Sequence, residues 1–190
     1  MTENFTVRKA NENDIQLLHD MIKKLAEYEK RPQDMTASME ALNYWLFQKN
    51  IATALIAEYD NDPVGYAIYY PVFGSFAAEG GVHLEDMYLN EEKRRCGLGK
   101  RFFSQIQEFV KQDGFSRMEW SCLDWNMPAI GFYDKIGAVQ EHGRNYYFYS
   151  THRTCTLDPG ILYPYCATGI CNRCRTSWCL QRNMEHRYSL

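Results

Sequence analysis

The chain has 190 residues, of which 45% are hydrophobic, 24% charged and 15% aromatic, a composition that excludes the disordered, collagen-like and disulfide-miniature classes and is enough to bury one core. Its net charge of −3 is uneven: residues 1–150 hold 16 Lys and Arg against 22 Asp and Glu, and residues 151–190 hold 5 against 2, so the acidic body argues against a nucleic-acid partner. No segment reaches the roughly 18 apolar residues of a membrane span and no signal-peptide stretch is visible, so a cytoplasmic protein with no membrane partner is expected.

In chain order, alternation over Phe5–Arg8 predicts a strand. Asn11 then offers an N-cap oxygen to a helix whose apolar stripe is Ile15, Leu18, Ile22 and Leu25. A break at Arg31-Pro32-Gln33 leads to a second helix, begun by Thr36 or Ser38 and carrying Leu42, Trp45 and Leu46. The runs ATALIAEY and VGYAIYYPVF, joined at Asp60-Asn61-Asp62-Pro63, predict a hairpin. Residues 74–81 read as a loop, and Val82–Leu89 as the third strand of the meander. Period-two alternation puts His83, Glu85, Met87 and Leu89 on one face of that strand and Leu84, Asp86 and Tyr88 on the other.

A polar loop over residues 90–99 opens a helix with an apolar face of Leu98, Phe102, Ile106, Phe109 and Val110, stopped by Asp113-Gly114. Residues 117–123 read as a strand, Asn126 caps a helix with Pro128 in its first turn, and residues 138–149 read as a terminal hairpin. The result is an α+β fold with an antiparallel meander and one right-handed strand–loop–helix–strand unit. In Arg94-Arg95-Cys96-Gly97-Leu98-Gly99-Lys100, two alternate glycines admit close backbone approach, and the free N–H groups of a helix start favour an anion such as a pyrophosphate. The same glycines also suit a helix start that merely packs closely.

Here the chain resembles the GNAT superfamily of acetyl-CoA-dependent N-acetyltransferases, whose Arg/Gln-x-x-Gly-x-Gly/Ala signature matches Arg94, Gly97 and Gly99. Blocks LAEYE (Leu25–Glu29), HLEDMYL (His83–Leu89), RRCGLGK, LDWNMPAIGFY (Leu123–Tyr133) and IGA (Ile136–Ala138) are similar to the diamine branch, which acts on spermidine, spermine and thialysine. The resemblance implies a single GNAT-like domain over residues 1–150, with an antiparallel or mixed sheet flanked by helices. It implies acetyl-CoA as co-substrate and a small-molecule amine as acceptor, by direct attack without an acyl-enzyme. Such attack needs a base, because an alkyl ammonium is not a nucleophile, and a proton donor for the departing thiolate.

The resemblance assigns Glu85 as base and Tyr133 as acid. It assigns main-chain contacts to the pantetheine from Met87, Tyr88 and Leu89, and the pyrophosphate to Arg95, Cys96, Gly97, Leu98, Gly99 and Lys100, with Arg94 adding charge. Asn126 would reach the sulfur end, and Tyr28, Glu29, Glu85 and Asp86 would line the amine pocket. A homodimer is implied as well. The branch has an acidic-Gly-Trp step where this chain has Glu141-His142-Gly143-Arg144, so a monoamine or thialysine-like substrate is as plausible as a polyamine. Residues 151–190 form an atypical tail with five of the seven cysteines. Cys171 and Cys174 have zinc-like spacing, but the spacings to Cys179 and His186 match no zinc class, so no metal is expected. The alternative function is a non-catalytic acyl-CoA-binding module with a Cys-rich interaction or zinc-binding tail.

Overall fold

The structure is a computed structural model that describes residues 4–141. The architecture below is that of the unit that ends at Gln140.

Strand β1 (Phe5–Lys9) leads through Asn11, whose side chain accepts from the Asn13 amide. This capping box, in which the Asp14 carboxylate accepts from the Asn11 backbone N–H, starts a 3-10 turn over Glu12–Asp14 that runs on into α1 (Ile15–Tyr28). Lys30, at φ 60°, ends that helix ahead of the turn at Pro32–Asp34. Ser38 accepts from the Ala41 amide to cap α2 (Met39–Asn43), which widens into a π turn over Tyr44–Gln48. Strands β2 (Thr53–Tyr59) and β3 (Asp62–Gly74) meet at Asp60-Asn61, with φ of 51° and 70°, the left-handed pair a two-residue hairpin requires. Strand β4 (Glu79–Leu89), α3 (Leu98–Gln112), β5 (Arg117–Glu119) and α4 (Met127–Lys135) complete the described order.

The sheet runs β1-β2-β3-β4-β5, antiparallel throughout except for the parallel β4–β5 pair. One face buries Leu55, Ala57, Tyr69, Val82, Leu84 and Leu89 against Leu98, Phe102, Ile106 and Val110 of α3. The other buries Ala54, Ile56, Tyr66, Ile68 and Tyr88 against Leu18 and Met21 of α1 and Leu46. Arg8 ties the first elements together, giving two 2.8 Å hydrogen bonds to the Asp14 carboxylate and one to Glu58.

Three expectations are corrected. Half of residues 74–81 are strand: β3 runs to Gly74 and β4 begins at Glu79, leaving a four-residue connection because both strands continue to pair past the apolar run. Strand β5 is three residues long, Arg117–Glu119, because residues 120–123 no longer pair with β4. The strict alternation in β4 fails at a bulge: Ile68 pairs with Asp86 and Tyr69 with Leu84, so Glu85 has no opposite residue. The extra residue shifts the phase, placing Leu84, Met87 and Leu89 together on the α3 side and Tyr88 on the α1 side. Of the expected terminal hairpin, residues 138–141 are irregular; the remainder of it and the cysteine-rich tail lie outside the described residues.

Candidate active site

The chemistry gathers where β4 and β5 part. Their pairing covers only Gly81–His83 against Arg117–Glu119, so beyond His83 the β4 edge from Leu84 to Leu89 has no β5 partner. Met87, Tyr88 and Leu89 lie along this open stretch, with Tyr88 and Leu89 buried and Met87 half-buried. An extended ligand can take the vacant strand position, since the edge still offers main-chain donors and acceptors.

At the end of that edge the loop turns into α3. Gly97 sits at φ +87° with nothing within 4 Å of where a Cβ would stand, and Arg95 is also left-handed at φ 64°. The open Gly97 face adjoins the first N–H groups of α3, those of Leu98, Gly99 and Lys100, which have no acceptor within the helix. This cradle fits a pyrophosphate. Arg95, Cys96 and Lys100 are exposed beside it, while the Leu98 side chain is buried and has only its main chain to offer. Cys96 donates its thiol to the Lys93 carbonyl at 3.2 Å.

Arg94 points elsewhere. Its Nε donates to the Leu89 carbonyl at 2.8 Å, and its guanidinium lies over Tyr28 at 4.4 Å and Tyr88 at 5.4 Å. It braces the loop against the sheet. Tyr28 in turn donates to Asn126 Oδ1 at 2.9 Å, and the same oxygen accepts from the Ala129 amide at 3.3 Å to cap α4. The end of α1 is thereby held to the start of α4, with Trp125 beside Tyr28 and Lys30 over the Trp125 ring.

On the α1 side, three carboxylates converge. Asp86 accepts from the Tyr66 hydroxyl at 3.0 Å, and burial, reinforced by the charges of Glu85 and Glu29, pushes its carboxyl up to about 7. Glu29 at the end of α1 is raised chiefly by burial, against the lowering influence of Arg31, with Glu85 adding repulsion. Glu85 on the bulge is the exposed member. Glu29 is also felt by Tyr133 in α4, whose hydroxyl is pushed up to about 12 by burial first and then by Cys122, Glu29 and Tyr28. Tyr133 stacks between Trp120 and Phe132, with centroids at 5.1 and 5.5 Å. Burial and the charges of Glu29 and Asp124 push up the Cys122 thiol, which keeps it from being a nucleophilic thiolate.

Electrostatics thus couple Glu29 to Glu85, Asp86 and Tyr133, while Met87–Leu89 lie along the adjoining edge and residues 95–100 in the loop that opens α3. Arg94, Tyr28 and Asn126 are engaged with one another and with the frame. Sequence motifs assign no site role to Tyr66, Tyr70, His83 or Glu119, whose surroundings depend on cross-strand register. Among the described residues, no group of His, Cys, Asp and Glu is arranged to hold a metal ion, and no helix is long and apolar enough to cross a membrane.

Residues 18–138 match the family described as Acetyltransferase (GNAT) family. The chain belongs to this family. It is an enzyme of the N-acetyltransferase class, a single GNAT domain with a mixed five-stranded sheet. Similar GNAT proteins include the thialysine N-epsilon-acetyltransferase of Sus scrofa, 33% identical over 141 residues that cover 70% of this chain and 82% of that one. The enzyme of the same name from Caenorhabditis elegans is 29% identical over 137 residues, 72% of this chain and 84% of that one. An L-ornithine N5-acetyltransferase of Arabidopsis thaliana is 38% identical over 80 residues, 41% of this chain and 35% of that one. Among solved structures, an aminoglycoside acetyltransferase from a soil metagenome shares the fold with TM-score 0.65 at 18% identity, covering 78% of this chain and 97% of that one. An aminoglycoside N-acetyltransferase in complex with CoA does so with TM-score 0.63 at 17% identity, covering 80% and 98%.

Proposed function

We propose that this GNAT enzyme transfers the acetyl group of acetyl-CoA to a primary amine of a small cationic molecule, of the diamine or thialysine kind. The observation that carries this reading is the convergence of Glu29, Glu85 and Asp86 at the point where the free β4 edge begins. Three carboxylates that feel one another's charge suit an ammonium group, and the kinship with thialysine and ornithine acetyltransferases supports an amine of that class.

Acetyl-CoA supplies an activated thioester carbonyl. In this reading the N–H groups of Leu98, Gly99 and Lys100 and the open face of Gly97 hold its pyrophosphate, and the β4 edge at Met87–Leu89 orients its pantetheine. Glu29 and Asp86 hold the ammonium by charge. Glu85, exposed at the bulge, accepts the proton the ammonium must lose before its nitrogen is nucleophilic. Tyr133 keeps its proton at neutral pH because burial opposes the phenolate, so it has a proton to give to the departing sulfur. The expected two-fold dimer belongs to this proposal, and a sedimenting species of 22.4 kDa would remove it.

Thiol release from acetyl-CoA tests the reading with a panel of thialysine, ornithine, putrescine, spermidine and tyramine. Turnover with at least one dibasic amine or amino acid is expected. Coenzyme binding without turnover on any amine would overturn it.

A further inference from the structure

Glu85 is a long, exposed side chain on a bulge, the one residue of its strand with no opposite neighbour. Nothing in the ladder fixes where its carboxylate points, yet a base must be held to within about half an ångström of its working position. Two groups beyond the predicted site residues lie near it. The Tyr70 hydroxyl on β3 lies near enough to feel it, being pushed up by burial first and then by the Glu85 charge. His83, two residues earlier on β4, places Nε2 3.8 Å from Glu85 Oε2.

The imidazole is itself restrained on three sides. Its ring stacks on Tyr70, the residue directly opposite in the ladder, with centroids 5.2 Å apart and planes 25° apart. Its Nδ1 lies 3.9 Å from Glu119 Oε1, in the last rung that β4 and β5 share. Glu119 is ion-paired with Arg117. Arg117 packs against Gly81, where a Cβ would meet it at 3.0 to 3.2 Å; the glycine makes room for the arginine that holds the glutamate.

A neutral imidazole has one N–H to give, to Glu85 or to Glu119. Arg117 donates to Glu119 Oε2 and leaves Oε1 open as a second acceptor; the tautomer with its proton on Nε2 is the one that donates to Glu85, with a small ring rotation closing the 3.8 Å gap. We propose that His83 is a positioning residue that aims the Glu85 carboxylate at the amine, with Tyr70 as its platform and Glu119 as its stop. The inference rests on the amine-acetyltransferase reading above. The charged and titratable groups around the ring are Tyr70 from β3, Glu85 from β4, and Glu119 with Arg117 from β5.

Side-chain replacements separate this role from packing. Glutamine sets an amide donor near the place of Nε2, asparagine sets one near the place of Nδ1, and phenylalanine keeps only the stacked ring. His83→Phe and His83→Asn should each lower kcat by about 10- to 100-fold, the range for a misdirected catalytic group, with the acetyl-CoA KM unchanged. His83→Gln should recover most of the loss. In a Glu85→Gln background, His83→Phe should cost nothing further, because there is no base left to aim. A His83→Phe enzyme as fast as wild type, a glutamine variant no better than asparagine, or a loss that adds in full to that of Glu85→Gln would each overturn the proposal. Wild-type protein that turns over no amine would instead overturn the reading beneath it, so the two failures are distinguishable. Thermal melts of each variant establish folding, and the Gln–Asn comparison stands even where the phenylalanine variant does not fold.

Discussion

Tyr133 and Asp86 are each buried enough to hold a proton longer than free side chains do, and their burial makes opposite demands on function. For Tyr133 the proton is useful. Phenylalanine preserves its packing between Trp120 and Phe132 and removes only the hydroxyl, so Tyr133→Phe should slow turnover by about 10²- to 10⁴-fold with coenzyme affinity intact. An unchanged kcat would make the tyrosine structural. For Asp86 the proton is a liability. Its carboxyl, raised by burial from 3.8 to about 7, holds a proton when folded that the unfolded chain has released, so stability falls as pH rises through that window. Below about 7 the protonated group also presents no charge to an ammonium. The amine KM should therefore rise as pH drops through neutrality, and Asp86→Asn should flatten both the KM profile and the pH dependence of the melting temperature. Profiles that stay as steep in the variant would place the titrating group elsewhere. The carboxylates and Tyr133 were named as candidates from the sequence because they stand in short ordered motifs. Tyr66, Tyr70 and His83 were not, because each works through a partner on another strand, and one-residue differences in register decide which partner that is.

At the level of elements, helix and strand identities followed from apolar spacing and from caps whose chemistry is local: Asn11, Ser38, Asn126 and the left-handed Asp60-Asn61 turn. What escaped was the departure from regularity. The bulge at Glu85 has no sequence signature of its own, since LEDMYL reads as well in one phase as in the other, and packing on both faces selects the phase. The early end of β5 is likewise set by where β4 leaves it. These two irregularities shape the proposed site, one by turning a carboxylate out of the ladder and the other by ending the β4–β5 pairing at His83 among the described residues. The Gly97 loop is the third departure and the easiest to test. Gly97→Ala meets no atom within 4 Å but must hold an L-residue at φ +87°, which costs about 1 kcal/mol. Its methyl group would also occupy the face offered to the pyrophosphate. A small fall in melting temperature and a distinct rise in the coenzyme dissociation constant by calorimetry are expected. Full coenzyme affinity in the folded variant would take the loop out of the site.

Across the whole molecule, the two substrates of the proposed reaction carry opposite charges and meet opposite fields. Lys93, Arg95, Lys100 and Arg101 surround the start of α3, while Glu29, Glu85 and Asp86 line the amine side under a net charge of −3. A chain of one overall sign would attract one substrate at the expense of the other, whereas separating the signs along β4 serves both. Exposed charges are screened over about 8 to 10 Å at ordinary ionic strength, so kcat/KM should fall with added salt for both substrates, more steeply for a dication than for a monoamine of similar size. Glu29→Gln separates the two fields. Glu29 is half-buried at the end of α1 and faces Glu85, so removing its charge should weaken the salt dependence for the amine and leave that for acetyl-CoA as in wild type. Equal flattening for both substrates would mean that one undivided field steers them. No change for either would mean that Glu29 is screened from the amine, and the pocket would then rest on Glu85 and Asp86 alone.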